Sequence, residues 1–341
     1  MTDPWSAERE ALLGRRISDI GLAIEGTRVE RLVAELYREL DSRGLKFRPP
    51  VYLSDQWGCP DGTPLIGVPF YLADQRLERI EAEMAGSVED DDEAMRYLRH
   101  EAGHAVNYAF KLYERAEWRS HFGSFAKPYR ERYRADPFSR AHVRHILGWY
   151  AQKHPDEDFA ETFAVWLTPR LDWRAEYVGW PALAKLEYVD RLMREIANES
   201  PESPTPTDED LPVRSMRYTL AAHYADDESL PIEDERQFDA DLRRIFLSGR
   251  DAPAGEPAAA FVVRHHREIV GRIAHWTGEP PGIVRSLVDH VSRRASALDL
   301  HVGGLEAAAL IELTAFGTTV VMQYRETRRI GRRAAEPVET E

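Results

Sequence analysis

One cysteine, Cys59, in a chain of 341 residues excludes an internal disulfide and any cysteine-rich zinc cluster. Its neighbours Pro60-Asp61-Gly62 place it in a turn. No apolar run approaches the roughly 18 residues that a membrane-spanning helix needs. The start, Met1-Thr2-Asp3-Pro4-Trp5-Ser6, has neither the basic end nor the apolar centre of a secretory leader, so a cytoplasmic protein with no membrane partner is expected. Positive charge is also short: 45 Lys and Arg stand against 59 Asp and Glu, a formal net charge of −14. That balance argues against nucleic acid as a partner. No internal repeat is present. The remaining composition, 43% hydrophobic and 30% charged, is that of a folded protein long enough for two domains.

Within it stands Tyr97-Leu98-Arg99-His100-Glu101-Ala102-Gly103-His104-Ala105-Val106-Asn107, an HExxH motif. On a helix, histidines four apart aim at one point, and the acid beside the first reaches a water on the metal without ligating it. This is zinc-hydrolase chemistry: neutral imidazoles hold Zn²⁺ and Glu101 takes the water's proton. Met95, Leu98, Ala102, Ala105, Ala109 and Leu112 recur at helical steps, so Asp92 to Trp118 reads as one helix with its apolar stripe opposite the histidines. The acids from Glu89 to Glu93 suit the start of that helix.

A zinc hydrolase needs a third protein ligand and an open fourth position. A metzincin would place Gly and His three and six residues after His104, but Asn107 and Phe110 stand there. A gluzincin takes a Glu from a later helix, followed four residues on by an acid that orients a ligand histidine. His154-Pro155-Asp156-Glu157-Asp158-Phe159-Ala160-Glu161-Thr162-Phe163-Ala164-Val165-Trp166-Leu167 supplies both. Pro155 suits the first helical turn, Pro169 stops the helix, and Glu157 and Glu161 lie opposite Phe159, Phe163 and Trp166. Glu157 is assigned as the ligand and Glu161 as acceptor of a histidine N–H; a shifted register would exchange them.

HEAGH followed by HPDEDFAETFAVWL resembles the bacterial zinc-binding metallopeptidases of the gluzincin type, with an HExxH…EDFAET pattern. More distantly, it is similar to the catalytic domain of anthrax lethal factor, whose Glu ligand lies in an EFFAEAF segment. The likeness covers roughly residues 95–167. It implies a zincin-like α+β fold, one Zn²⁺ per chain and a peptide or protein substrate. In lethal factor a tyrosine seven residues before the ligand stabilises the oxyanion, and the matching residue is Tyr150. His142, His145 and His154 are alternative donors.

The expected class is α+β and mostly helical. A metallopeptidase domain over 1–198 begins with helices at 7–24 and 27–43, followed by two or three short strands within 46–73. Pro69 cannot donate to a ladder, which marks an edge strand. A structural role is the simpler reading of that strand; pairing of Ile66 to Phe70 with an extended substrate is the alternative. The Pro-, Ser- and acid-rich 199–212 is a linker, 213–330 a helical C-terminal domain and 331–341 a flexible tail. In that domain Ala258 to Thr277 reads as one helix and Gly304 to Ile330 as the last. The stretch Ala307 to Val321 is apolar on most sides, a central bundle helix too short and interrupted to span a membrane. His265 and His266 point about 100° apart on a helix, away from a shared ion.

Two other functions use the same residues. A zinc amidase acting on a small amide or modified peptide needs the same catalytic groups. A non-enzymatic helical partner-binding protein with a vestigial zinc site has no need of Glu101 as a base.

Overall fold

A computed structural model describes residues 4–85, 88–130, 133–202, 209–224, 230, 232, 234–252, 255–279 and 281–327. It is mostly helical with little sheet, and it divides into two units, residues 1–226 and 227–341.

The first unit runs α1 (Pro4–Leu13), α2 (Arg28–Ser42), β1 (Val51–Ser54), β2 (Ile66–Pro69), α3 (Gln75–Met84), α4 (Asp91–Ala109), α5 (Ala116–Phe122), α6 (Pro155–Leu167), α7 (Trp173–Glu176), α8 (Ala182–Ile196) and α9 (Leu220–His223). β1 and β2 pair in parallel from Val51↔Ile66 to Ser54↔Pro69. On the other edge of β2, Gly67 exchanges both backbone hydrogen bonds with Gly58, and Pro69 has no N–H to offer. That edge is engaged by the chain itself at Gly67, which favours the structural reading of the strand over substrate pairing along Ile66 to Phe70.

A capping box starts α4: the Asp90 carboxylate accepts from the Glu93 N–H, and Glu93 accepts from the Asp90 N–H. The helix ends at Ala109, short of Trp118, because Lys111 turns left-handed at φ 45° before α5 begins at Ala116. The periodic Leu112 blurs that break in the sequence. α2 buries Val29, Leu32, Leu36 and Leu40 and ties to α4 through a bidentate pair, Arg99 to Glu39, at 2.7 and 2.7 Å.

α6 is buried at every residue. Phe159 and Phe163 pack toward Trp118, Phe122 and Trp166, while its acidic face meets α4. Gly103 makes this crossing possible, since a Cβ there would lie 2.8 Å from the Ala160 Cα. The histidine face of α4, opposite its apolar stripe, is therefore buried as well. His100 is 2% exposed, Glu101 and His104 7% each.

Val213, Met216 and Leu220 enter this first core, and the N–H groups of Ile17 and Ser18 donate to the carbonyls of Tyr218 and Met216. The division between units thus falls at Asp226/Asp227, later than the 199–212 linker read from composition. Residues 203–208 of that linker and the tail 331–341 lie outside the described residues.

The second unit holds α10 (Asp239–Ile245), α11 (Ala258–Arg264), α12 (His266–Thr277), α13 (Pro281–Ala297) and α14 (Glu306–Thr327). A short antiparallel pair, β3 (Leu247–Ser248) and β4 (Leu300–His301), was not evident in the sequence. The helix expected over Ala258 to Thr277 breaks at His265. His265 and His266 take separate partners, Glu306 and Asp289. α14 lies within the helix expected over Gly304 to Ile330 and corrects the reading of its apolar stretch, Ala307 to Val321, as too short for a membrane span. It runs 22 residues, buries only Ala309, Leu313, Gly317, Val320 and Val321 on one face, and is long and apolar enough to cross a membrane by length and composition.

Candidate metal centre

His100 and His104, one turn apart on α4, meet Glu157 from the first turns of α6. His100 Nε2 and His104 Nε2 lie 3.0 and 3.1 Å from Glu157 Oε2 and 3.1 Å from each other. The three form a buried group that could hold a metal ion. Glu161 takes the other side of His100, its Oε1 2.9 Å from Nδ1. Its Oε2 accepts from the backbone N–H groups of His145 and Ile146, at 3.2 and 2.9 Å. Glu157 faces both imidazoles and Glu161 stands behind that of His100.

With Nδ1–H of His100 pointed at Glu161, Nε2 of the neutral ring carries a lone pair. That lone pair faces a second imidazole nitrogen and a carboxylate oxygen. Three electron-rich atoms converging in a buried pocket repel unless a cation sits among them. Burial disfavours protonated His100, yet the Glu157 and Glu161 contacts prevail and lift it to about 9. His104 is raised too: against burial, Asp156 and Glu157 attract the imidazolium. Burial would raise Glu157, but the two imidazoliums hold it well below the usual carboxylate range. The group attracts positive charge, and it could hold a metal ion.

The sequence did not single out Asp156. Its Oδ2 lies 2.9 Å from His104 Nδ1, within ion-pair distance but off the line of a ring N–H hydrogen bond. Asn107 Nδ2 and the Tyr108 hydroxyl, at 2.7 and 2.5 Å, hold this carboxylate. Each histidine thus has its own acid from α6. The signal was present: Asn107 and Tyr108 lie three and four residues after His104, on the same face.

Glu101 is buried and has no hydrogen-bond partner among the described residues. Burial raises its pKa, against the pull of His100 and His104. Tyr150 lies beside the site, its ring 5.6 Å from that of His100. Its hydroxyl is 3.3 Å from that of Tyr129 and 3.5 Å from Lys153 Nζ. Burial, then Glu157 and Tyr129, push the phenol up, so it keeps its proton as a donor. Tyr129, half exposed, donates to Glu157 Oε1, the oxygen turned away from the histidines. Nothing in the sequence marked it.

The alternative histidines are engaged elsewhere. His154 caps α6, its Nδ1 accepting from the Asp156 N–H and its Nε2 donating to the Lys127 carbonyl. His145 Nε2 donates to the Arg96 carbonyl, and burial drives this imidazole down to about 4. His142 sits beside Ser139 and is also lowered to about 4, by burial and then Lys185 and Lys127. Cys59 donates to the Thr63 carbonyl, its thiol pushed well up by burial and the charges of Glu101 and Asp156. No protein-family model, curated protein or solved structure matches the chain.

Proposed function

We propose that this chain is a zinc-dependent peptidase of gluzincin type, built on a zincin-like core, with one Zn²⁺ held by His100, His104 and Glu157. One observation carries the reading: a lone-pair triangle backed by acids stands beside a buried carboxylate, Glu101, that has no partner of its own among the described residues. A structural metal site needs no such base. The donor set, two imidazoles and one carboxylate with no thiolate, suits catalytic zinc. Tetrahedral zinc with bonds of about 2.0–2.1 Å spaces its donors about 3.3 Å apart. The separations of 3.0 and 3.1 Å need to open only slightly.

Bound zinc would supply a Lewis acid and acidify a water. Glu101, buried and with a raised pKa, accepts that proton and returns it to the leaving amine. Tyr150, held protonated, donates a hydrogen bond to the oxygen on which negative charge develops. Glu161 and Asp156 keep the rings turned so that both Nε2 atoms face the same point.

The test pairs metal analysis with a peptide-library digest read by mass spectrometry, on the wild-type and Glu101→Gln proteins. One zinc per chain is expected in both, with cleavage only by the wild type. Cleavage by Glu101→Gln at the wild-type rate, or no zinc in either protein, would overturn the reading.

A further inference from the structure

The chain beside the metal centre carries a charge opposite to that of the protein as a whole. Residues 124–130 and 133–153 contain six Lys and Arg and one acid, Asp136, in a chain with net charge −14. Hydrogen bonds stitch this stretch along the approach to α6. The Lys127 carbonyl accepts from His154 Nε2 at 2.7 Å, and Tyr129 donates to Glu157 itself. The Tyr133 hydroxyl donates to the Gly148 carbonyl at 2.8 Å. Asp136 exchanges backbone bonds with the Gln152 amide at 2.8 and 2.9 Å.

Five of its six cations form no ion pair among the described residues. Arg9, Arg28, Arg76, Arg99, Arg174 and Arg191 each reach a carboxylate. Lys127, Arg130, Arg134, Arg140 and Arg144 are exposed, and none has a carboxylate within ion-pair distance among the described residues. Arg140 and Arg144 lie over the Trp180 ring. Five exposed cations without a carboxylate partner along one strap leave a positive field beside the site.

We propose that this strap selects the substrate: a peptide carrying acidic side chains close to the bond that is cut. The inference rests on the peptidase reading. A short acidic segment can lie along the strap and stop there, whereas a long polyanion would also meet the surrounding negative surface. A nucleic acid is for that reason the poorer fit.

The experiment uses zinc-loaded Glu101→Gln protein and three fluorescein-labelled peptides that share one apolar centre and carry Glu, Gln or Lys on both sides. Anisotropy should show the Glu peptide binding about tenfold tighter than the Gln peptide, as two or three exposed charge pairs give, and the Lys peptide weakest. The preference should shrink as salt is raised and vanish in Lys127→Glu/Arg130→Glu/Arg134→Glu. The milder Lys127→Gln/Arg130→Gln/Arg134→Gln should remove most of it, with zinc content and melting temperature confirming that both variants fold. Equal affinities, a preference that survives charge reversal, or tighter binding of a single-stranded oligonucleotide would overturn the strap. A Glu preference without hydrolysis of any peptide by the wild type would instead keep the strap and remove the peptidase reading.

Discussion

Two phenols share the space beside Glu157, and their contacts differ. Tyr129 donates to Glu157 Oε1 and so leaves Oε2 alone facing the imidazoles, which favours a one-oxygen ligand. Tyr129→Phe should weaken zinc binding about tenfold, in line with groups that support a ligand, as read by competition with a chelator. Tyr150→Phe should keep its zinc and lose about 100- to 1000-fold in kcat with little change in KM. Near-wild-type turnover in Tyr150→Phe would remove that tyrosine from the mechanism. Asp156→Ala and Glu161→Ala should each cost about 10- to 100-fold in metal affinity. If Glu161→Ala lost all metal while Glu157→Ala kept it, their roles would be exchanged. His100 with His104, and Glu157 with Glu161, were legible as pairs because helix periodicity sets which side chains of one helix share a face. Their meeting depends on the crossing of two helices. Tyr129 was not legible, because its contact closes across 28 residues of largely irregular chain whose path no periodicity describes.

Among the elements, the α4–α6 crossing decides whether the ligands meet. Gly103 lies within the motif between the two histidines, and any side chain there strikes the Ala160 backbone. Gly103→Ala should destabilise the fold by about 1–3 kcal/mol, the usual cost of overpacking, and weaken zinc binding along with it. Chemical denaturation with and without zinc measures both. A variant as stable as wild type would mean that the helices part without cost. Helix α6 and the start of α4 were legible from Pro155, Pro169 and the acids at Glu89 to Glu93, which act locally. The end of α4 was not, since the left-handed Lys111 interrupts a pattern whose apolar spacing continues to Leu112. Nor was burial of the histidine face, which depends on a partner helix some fifty residues away.

For the whole molecule, metal and protons compete. In metal-free protein, His100 titrates at about 9 against 6.5 when unfolded, so its contribution to stability is complete below pH 6.5 and lost as pH rises through 9. His104 shifts in the same direction. Glu157 is lowered, so its share is present above its ordinary 4.5 and lost as pH falls. Metal-free protein should therefore melt at lower temperature at pH 9 than at pH 6, and zinc should remove most of that difference. Zinc affinity should rise with pH up to about 9, by as much as tenfold per unit for each proton released, as calorimetry in buffers of different ionisation heat would show. Proteolysis offers a second test at this scale. The composition of 199–212 marks it as the first place to be cut, yet Val213, Met216 and Leu220 are buried in the first core. A chain cut there should stay associated under native conditions. Fragments that separate at once would contradict the boundary at Asp226/Asp227.

Glu161 divides its two oxygens between the His100 ring and two backbone amides, those of His145 and Ile146. Anything that turns His100 must pull on those amides as well. They become a built-in gauge of occupancy: slow hydrogen exchange at His145 and Ile146 when the ion is in place, faster when it has been stripped away, readable without any substrate.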